Sequence, residues 1–298
     1  MTMRVTQGML NNQLLRNINS NLNRINTHQN ELSTGRRINK PSDDPVGMTF
    51  SLRYRSELSA NDQYESNVTT AISWLEYTDT TLDQANTVIQ RARELAVQGA
   101  NGTNPQQALD AIKTEIDQLY QQMVTIGNSE FNGKHVFNGQ ITDQAPYTAA
   151  NAATTSVDTG AIQFDIGAGV RVKANITGDE VFGQASSNTN VFKVLQDLST
   201  ALGAGNQNGI NDALGRLDQA NDLFLQGRAD VGARMNRIEL AQSRLQDINV
   251  NLQTLQSRTE DADISEVITN LKTDENVYQA SLSVGSKIIS SSLVDFLR

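Results

Sequence analysis

Two histidines, His28 and His135, and no cysteine stand in the 298 residues, so the side chains that most often shuttle protons or bind transition metals are nearly absent. His28 falls in a polar helical stretch and His135 in the turn-rich string FNGKHVFNG, so each reads as an ordinary surface or hydrogen-bonded residue. The signatures H-E-x-x-H, G-x-S-x-G and C-x-x-C do not occur. Gly133-Lys134 superficially matches the end of a phosphate loop, but His135 follows where Ser or Thr is needed, and Asn128 stands where the first glycine belongs. Gly167 and Gly169 fail to complete G-x-G-x-x-G because Val172 takes the last position. Asp261, Asp263 and Ser265 mimic the start of a calcium loop, yet the sixth position, which needs glycine for the turn, is Glu266. An acidic solvated helix face accounts for these residues better. The sequence therefore offers no catalytic residue, no cofactor site and no metal site, and it reads as a non-enzymatic protein.

The residues that could act are instead those that pack. Near the start, Leu15, Ile18, Leu22, Ile25 and Leu32 recur at three- and four-residue steps, with Gln29 at the one polar position. Ile238, Ala241, Leu245, Ile248, Leu252 and Leu255 repeat that rhythm near the end. Such alternation keeps a narrow apolar stripe toward a partner helix, the mark of a coiled coil. Hydrophobic residues make up 38% of the chain and aromatics 5%, which favours narrow helix seams over a broad core. A net charge of −9 argues against nucleic acid as a partner, and no apolar stretch reaches the roughly 18–20 residues of a membrane span. Charge is uneven: residues 1–40 carry a surplus of five positive charges, and residues 259–298 a surplus of four negative ones. Opposite signs on two helical ends favour their mutual docking. MTMRVTQGML lacks the apolar run of a secretory signal peptide.

Glycine and proline divide the chain. Gly35 stands where a helix C-cap is expected, and the bend NKPSDDPVG leads to Asp44-Pro45, an N-cap followed by proline at the first helical position. A helix then runs from Met48 toward Gly99, and Asn104-Pro105 starts another by the same cap logic, forming an antiparallel hairpin. From Phe131 the period changes. Two Phe-Asn-Gly units stand six residues apart, and AIQFDI and VRVKANI flank Gly167-Ala168-Gly169 as a hairpin. Residues 131–189 thus read as a β-rich outer insertion, too poor in aromatics for a large core. Helical spacing resumes at Val191. Residues 233–284 contain neither Gly nor Pro over 52 positions, a rod of about 78 Å if wholly helical at ~1.5 Å per residue. The expected fold is mainly α: long N- and C-terminal coiled-coil helices and a helical bundle with that insertion. Residues 1–40 plus 258–298 form the terminal assembly domain, and 41–130 plus 190–257 the bundle.

Five strings in order, NKPSDDPVG, ARELAVQGANGT, FNGKHVFNG, RADVGARMNRIE and SRTEDADISE, resemble the bacterial flagellin family over roughly residues 1–140 and 190–298. MRVTQGML, the proline-bracketed PSDDPVG, DVGARMNRIE and the ending SSSLVDFLR suit its hook-associated branch better than its filament subunits. The family motif falls on Pro41, Asp43, Asp44 and Pro45 of the bend, and on Arg228, Asp230, Gly232 and Arg237, where polar contacts and a close helix approach are expected. The resemblance further implies a homo-oligomeric ring or short tube, and export by the flagellar type III route without a cleaved signal. The implied neighbours are a hook-side junction protein and flagellin. An export chaperone is implied to bind the C-terminal arm, at Leu271, Tyr278, Leu282, Ile289, Leu293 and Phe296. A filament-forming flagellin is the alternative that the same resemblance leaves open.

Overall fold

The computed structural model describes residues 7–296, and side chains over 8–287. Of the arm residues named above, Ile289, Leu293 and Phe296 therefore lie outside the described side chains. The chain divides into two compact units, residues 1–60 with 248–298, and residues 61–247.

In the first unit, α1 (Gln7–Thr34) packs antiparallel against α7 (Ile264–Phe296). The direction follows from matched pairs: Leu14 lies against Gly285, and Arg24 bonds Asp274. On α7 the covered positions Val267, Leu271, Asp274, Tyr278, Ser281 and Gly285 step by four and three, a coiled-coil spacing. Thr34 ends α1 because Gly35 adopts the left-handed conformation (φ 70°) and its N–H bonds the carbonyl of Glu31 at 2.8 Å, the cap geometry that glycine tolerates without strain. The following bend is held by Asp43, whose carboxylate accepts from the N–H groups of Asn39 and Lys40. Asp44 then accepts from the N–H of Gly47 at 2.9 Å as α2 (Pro45–Gly99) begins.

The rod expected over residues 233–284 is interrupted. α6 (Gln207–Glu260) ends, and α7 begins at Ile264. The physical reason is competition for backbone partners. Arg37 N–H takes the Glu260 carbonyl at 2.7 Å, and Ala262 N–H takes the Gly35 carbonyl at 3.0 Å. Asp263 then caps the new helix, accepting from the N–H groups of Ser265 and Glu266. Asp263 is thus a helix cap rather than part of a continuous acidic helix face.

In the second unit, α2 buries Val68, Leu75, Leu82 and Ile89, the spacing of one helix face. α3 (Gln106–Gly127) lies against α5 (Val191–Gly203). Pro105 itself takes the N-cap of α3 without a side-chain cap, because the Asn104 amide bonds back to the Gln98 carbonyl at 2.6 Å. The first Asn-Gly turns a hairpin of β1 (Glu130–Phe131) and β2 (Lys134–His135), with Asn132 and Gly133 both at positive φ. The second turns no hairpin. Asn138 instead staples its loop, donating to the Gln144 carbonyl and accepting from the Asp158 N–H. β3 (Gln163–Gly167) and β4 (Val170–Lys173) form the second antiparallel pair.

Strand is scarcer in residues 131–189 than the alternating patterns suggest, and the segment is better packed than its aromatic content suggests. Phe137, Tyr147 and Phe182 from this segment meet Phe192 of α5 and Phe224 of α6 in one ring cluster, with centroid separations from 4.6 to 5.6 Å. A few rings make a core here because helices on either side supply the remainder. The short α4 (Gly178–Val181) is fixed beside it by a reciprocal cap between Thr177 and Glu180.

Candidate functional site

The helix ends of the first unit converge on one carboxylate. Glu260 is 2% exposed, a rare position for an acid unless it is paired. It accepts a hydrogen bond from the Ser51 hydroxyl, and it receives Arg55 at 2.6 Å, Gln256 at 3.1 Å and Arg36 at 3.2 Å. Burial pushes its pKa upward, but the bonds from Ser51, Arg55 and Gln256 outweigh that and hold the carboxyl below its ordinary range. The Glu260 backbone carbonyl meanwhile holds the bend through Arg37, and Arg37 reaches the Thr259 carbonyl with its guanidinium at 3.0 Å. One residue therefore ties α6, α2 and the post-α1 bend together. Sequence alone does not mark it. Glu260 stands in the string SRTEDADISE, and Arg36 and Arg37 just before NKPSDDPVG, but nothing in their spacing says which charges meet.

A second polar inlay sits within the α1–α7 seam. Arg24 donates to Asp274 at 2.9 Å and to Asn21 at 2.7 Å, and His28 lies 2.9 Å from Glu31 and 3.7 Å from Asp274. The hydrogen bond from Arg24 holds the Asp274 carboxyl below its ordinary range. This inlay sets the rotation of α1. Ile18 and Ile25 belong equally to two stripes, one through Leu15 and Leu22, the other through Leu14, Asn21 and His28. The second faces α7, and Leu15 is left 57% exposed, with Leu32 exposed as well and Leu22 half-buried. On the other stripe named from sequence, Ile238 and Leu245 are buried in the second unit, while Ile248, Leu252 and Leu255 fall in the first, with Ile248 and Leu255 exposed. In the arm, Leu271 is buried, Tyr278 half-buried and Leu282 exposed.

Of the motif residues of the second unit, Arg228 and Asp230 make the expected polar contacts, whereas the exposed Arg237 side chain has no hydrogen-bond or ion-pair partner among the described residues. Arg228 on α6 reaches Asp79 at 3.0 Å and Asp83 at 2.7 Å on α2, contacts that raise its already high pKa, the Asp79 hydrogen bond foremost. Asp230 pairs with Arg234, which also donates to the Asn175 carbonyl at 2.7 Å. A close approach falls instead at Gly227, where an added Cβ would lie 3.2 Å from Ile176 in the loop before α4 and 3.3 Å from Val181 of α4, whereas Gly232 faces open space. His135 is buried, with Nδ1 2.9 Å from the Asn128 carbonyl, and acts as a loop tie.

Nothing in these clusters lines up a nucleophile with a base, and among the described residues no group of acids and histidines could hold a metal. No helix among them is long and apolar enough to cross a membrane. Paired long helices, locked by buried charges and bearing exposed apolar stripes, define a structural subunit built to pack with others.

Residues 5–142 match the bacterial flagellin N-terminal helical region, and residues 214–297 the bacterial flagellin C-terminal helical region. The chain belongs to the bacterial flagellin family, whose members are structural proteins of the flagellum, outside the cell. A curated relative, the flagellar filament 30.7 kDa core protein of Treponema maltophilum, is 28% identical over 255 residues, 85% of each chain. A flagellar hook-associated protein of Vibrio parahaemolyticus shares the fold, with a TM-score of 0.68 at 22% identity over 74% of this chain and 100% of its own. The FlgL protein of Bacillus cereus aligns with a TM-score of 0.60 at 25% identity, over 69% of this chain and 99% of its own.

Proposed function

We propose that this chain is a non-enzymatic adaptor that joins the hook side of the flagellum to the flagellin filament. The observation that carries this reading is the alignment of the B. cereus FlgL chain over 99% of its length at 25% identity. Copies of the chain close into a ring or short tube, seated on a hook-side junction protein and presenting flagellin with a matching face. Residues 1–40 plus 258–298 serve as the assembly domain, 41–130 plus 190–257 as the bundle, and 131–189 face outward. The exposed Leu15, Leu32, Ile248 and Leu255 remain available for neighbouring copies. Burying such side chains contributes roughly 25 cal/mol per Å² of apolar surface. Before assembly, an export chaperone covers the C-terminal arm from Leu271 through Leu282 toward Phe296.

The alternative is a filament-forming flagellin, favoured by the filament core protein that matches 85% of this chain. A strain lacking the protein separates the two. Under the adaptor reading it keeps its hooks and sheds flagellin monomers into the medium. Purified protein that polymerises unaided into long filaments, together with normal filament attachment in the deletion strain, overturns it.

A further inference from the structure

The face that α1 turns toward α7 is the poorer of its two apolar stripes. Besides the shared Ile18 and Ile25, the inward stripe contributes Leu14, Asn21 and His28, and the outward one Leu15, Leu22 and Leu32. Leu15 is left 57% exposed while the polar Asn21 is buried. The two stripes are centred about 50–60° apart, since each residue advances an α-helix by roughly 100°. Burial of apolar surface alone therefore favours a small turn of α1 that lays its leucines on Leu271 and Tyr278 of α7.

One residue opposes that turn. Asp274 stands on the covered stripe of α7 and is 8% exposed, so water cannot serve its charge whichever face of α1 lies above it. In the observed rotation Arg24 donates to it at 2.9 Å, His28 lies 3.7 Å away, and Asn21 accepts from Arg24 at 2.7 Å. With the leucines turned inward, Leu22 and Gln29 would replace Asn21 and His28, and Arg24 would swing toward solvent. Arg24 is half exposed and is served by water in either rotation, so the choice falls on Asp274. A buried carboxylate that loses its cation is costly, and that cost offsets the gain from the leucines. We infer that Asp274, through Arg24, is a rotation lock that holds the leucine stripe of α1 off α7 and leaves it open to neighbouring copies. That neighbours use the stripe rests on the assembly reading above, whereas the lock itself works within one molecule.

The chain has no native cysteine, so single thiols report the rotation. Leu14→Cys and Leu15→Cys are made separately in the full chain, and their rates of alkylation by a soluble maleimide are compared. The thiol at position 15 should react faster. Adding Asp274→Leu should slow position 15 about tenfold and speed position 14, the order of effect that burying one leucine-sized side chain supports. Asp274→Glu keeps the charge and should preserve the native pattern. Leu14 lies against Gly285, so Leu14→Cys with Gly285→Cys should form an intramolecular disulfide that Asp274→Leu abolishes. Circular dichroism should show the helices intact, because replacing a paired buried charge by an apolar residue need not destabilise. Equal rates at the two positions in the native background overturn the lock. So does an unchanged rate at position 15 with Asp274→Leu, which would mean that the fit of Leu14 on Gly285 holds α1 by itself. Rates that rise at both positions signal a melted arm rather than a turned one, and overturn it too. All are read on the isolated chain and leave the adaptor reading standing, which the deletion strain tests separately.

Discussion

Substitution of Glu260 by Gln tests whether one carboxylate organises the junction of α6, α2 and the bend. The change keeps the shape and removes the charge that Arg55 and Arg36 face at 2.6 and 3.2 Å. Removing one partner of a fully buried pair costs about 3–5 kcal/mol. Both arginines here are more than a third exposed, so water recovers part of that, and we expect about 2 kcal/mol. The loss is local, so hydrogen exchange is the right assay. The N–H groups of Arg37 and Ala262, bonded across the junction, should exchange roughly 30-fold faster, since 1.4 kcal/mol corresponds to tenfold. Amides of the ring cluster in the other unit serve as the control. The wild type has a pH signature as well. Because the Glu260 pKa is lower folded than unfolded, its contribution is present above the unfolded value near 4.5 and is lost as pH falls through the folded value. Glu260→Gln should lack that acid-side loss. Unchanged protection at Arg37 and Ala262, or an identical acid profile in the variant, would refute the reasoning.

Two further outcomes follow from packing. Gly47→Ala places a Cβ 2.5 Å from both Asp44 Oδ2 and Ile38 Cδ1, so the capping carboxylate and the buried Ile38 side chain must move aside, at a cost of about 1–3 kcal/mol. Thermal unfolding followed by circular dichroism should show a lower midpoint. Phe182→Ala removes the ring that touches Phe137, Tyr147, Phe192 and Phe224, and is expected to cost about 3–5 kcal/mol in urea unfolding. A loss below about 1 kcal/mol would mean that the cluster repacks, contrary to its close packing.

The sequence by itself determined the helical class, the helix boundary around Gly35 to Pro45 and the first hairpin. Those features arise from local chemistry: Gly35 can adopt positive φ, Asp44 can cap, Pro45 can begin a helix, and Asn132-Gly133 can turn a hairpin. The motif strings also carried the family, because five strings in order are specific without any contact being known. Tertiary structure decided which of two stripes on α1 meets α7. Ile18 and Ile25 serve either one, and partners far along the chain break the tie: Asp274, 250 positions from Arg24, and Gly285 against Leu14. It likewise broke the long helix before Ile264. Local propensity is continuous there, but the chain's own bend offers competing hydrogen bonds to Glu260 and Ala262. It also assembled Ser51, Arg55, Arg36 and Glu260 into one site from distant parts of the chain. Spacing in a sequence reports what lies along one helix, whereas the pairing of charges across helices depends on how those helices dock.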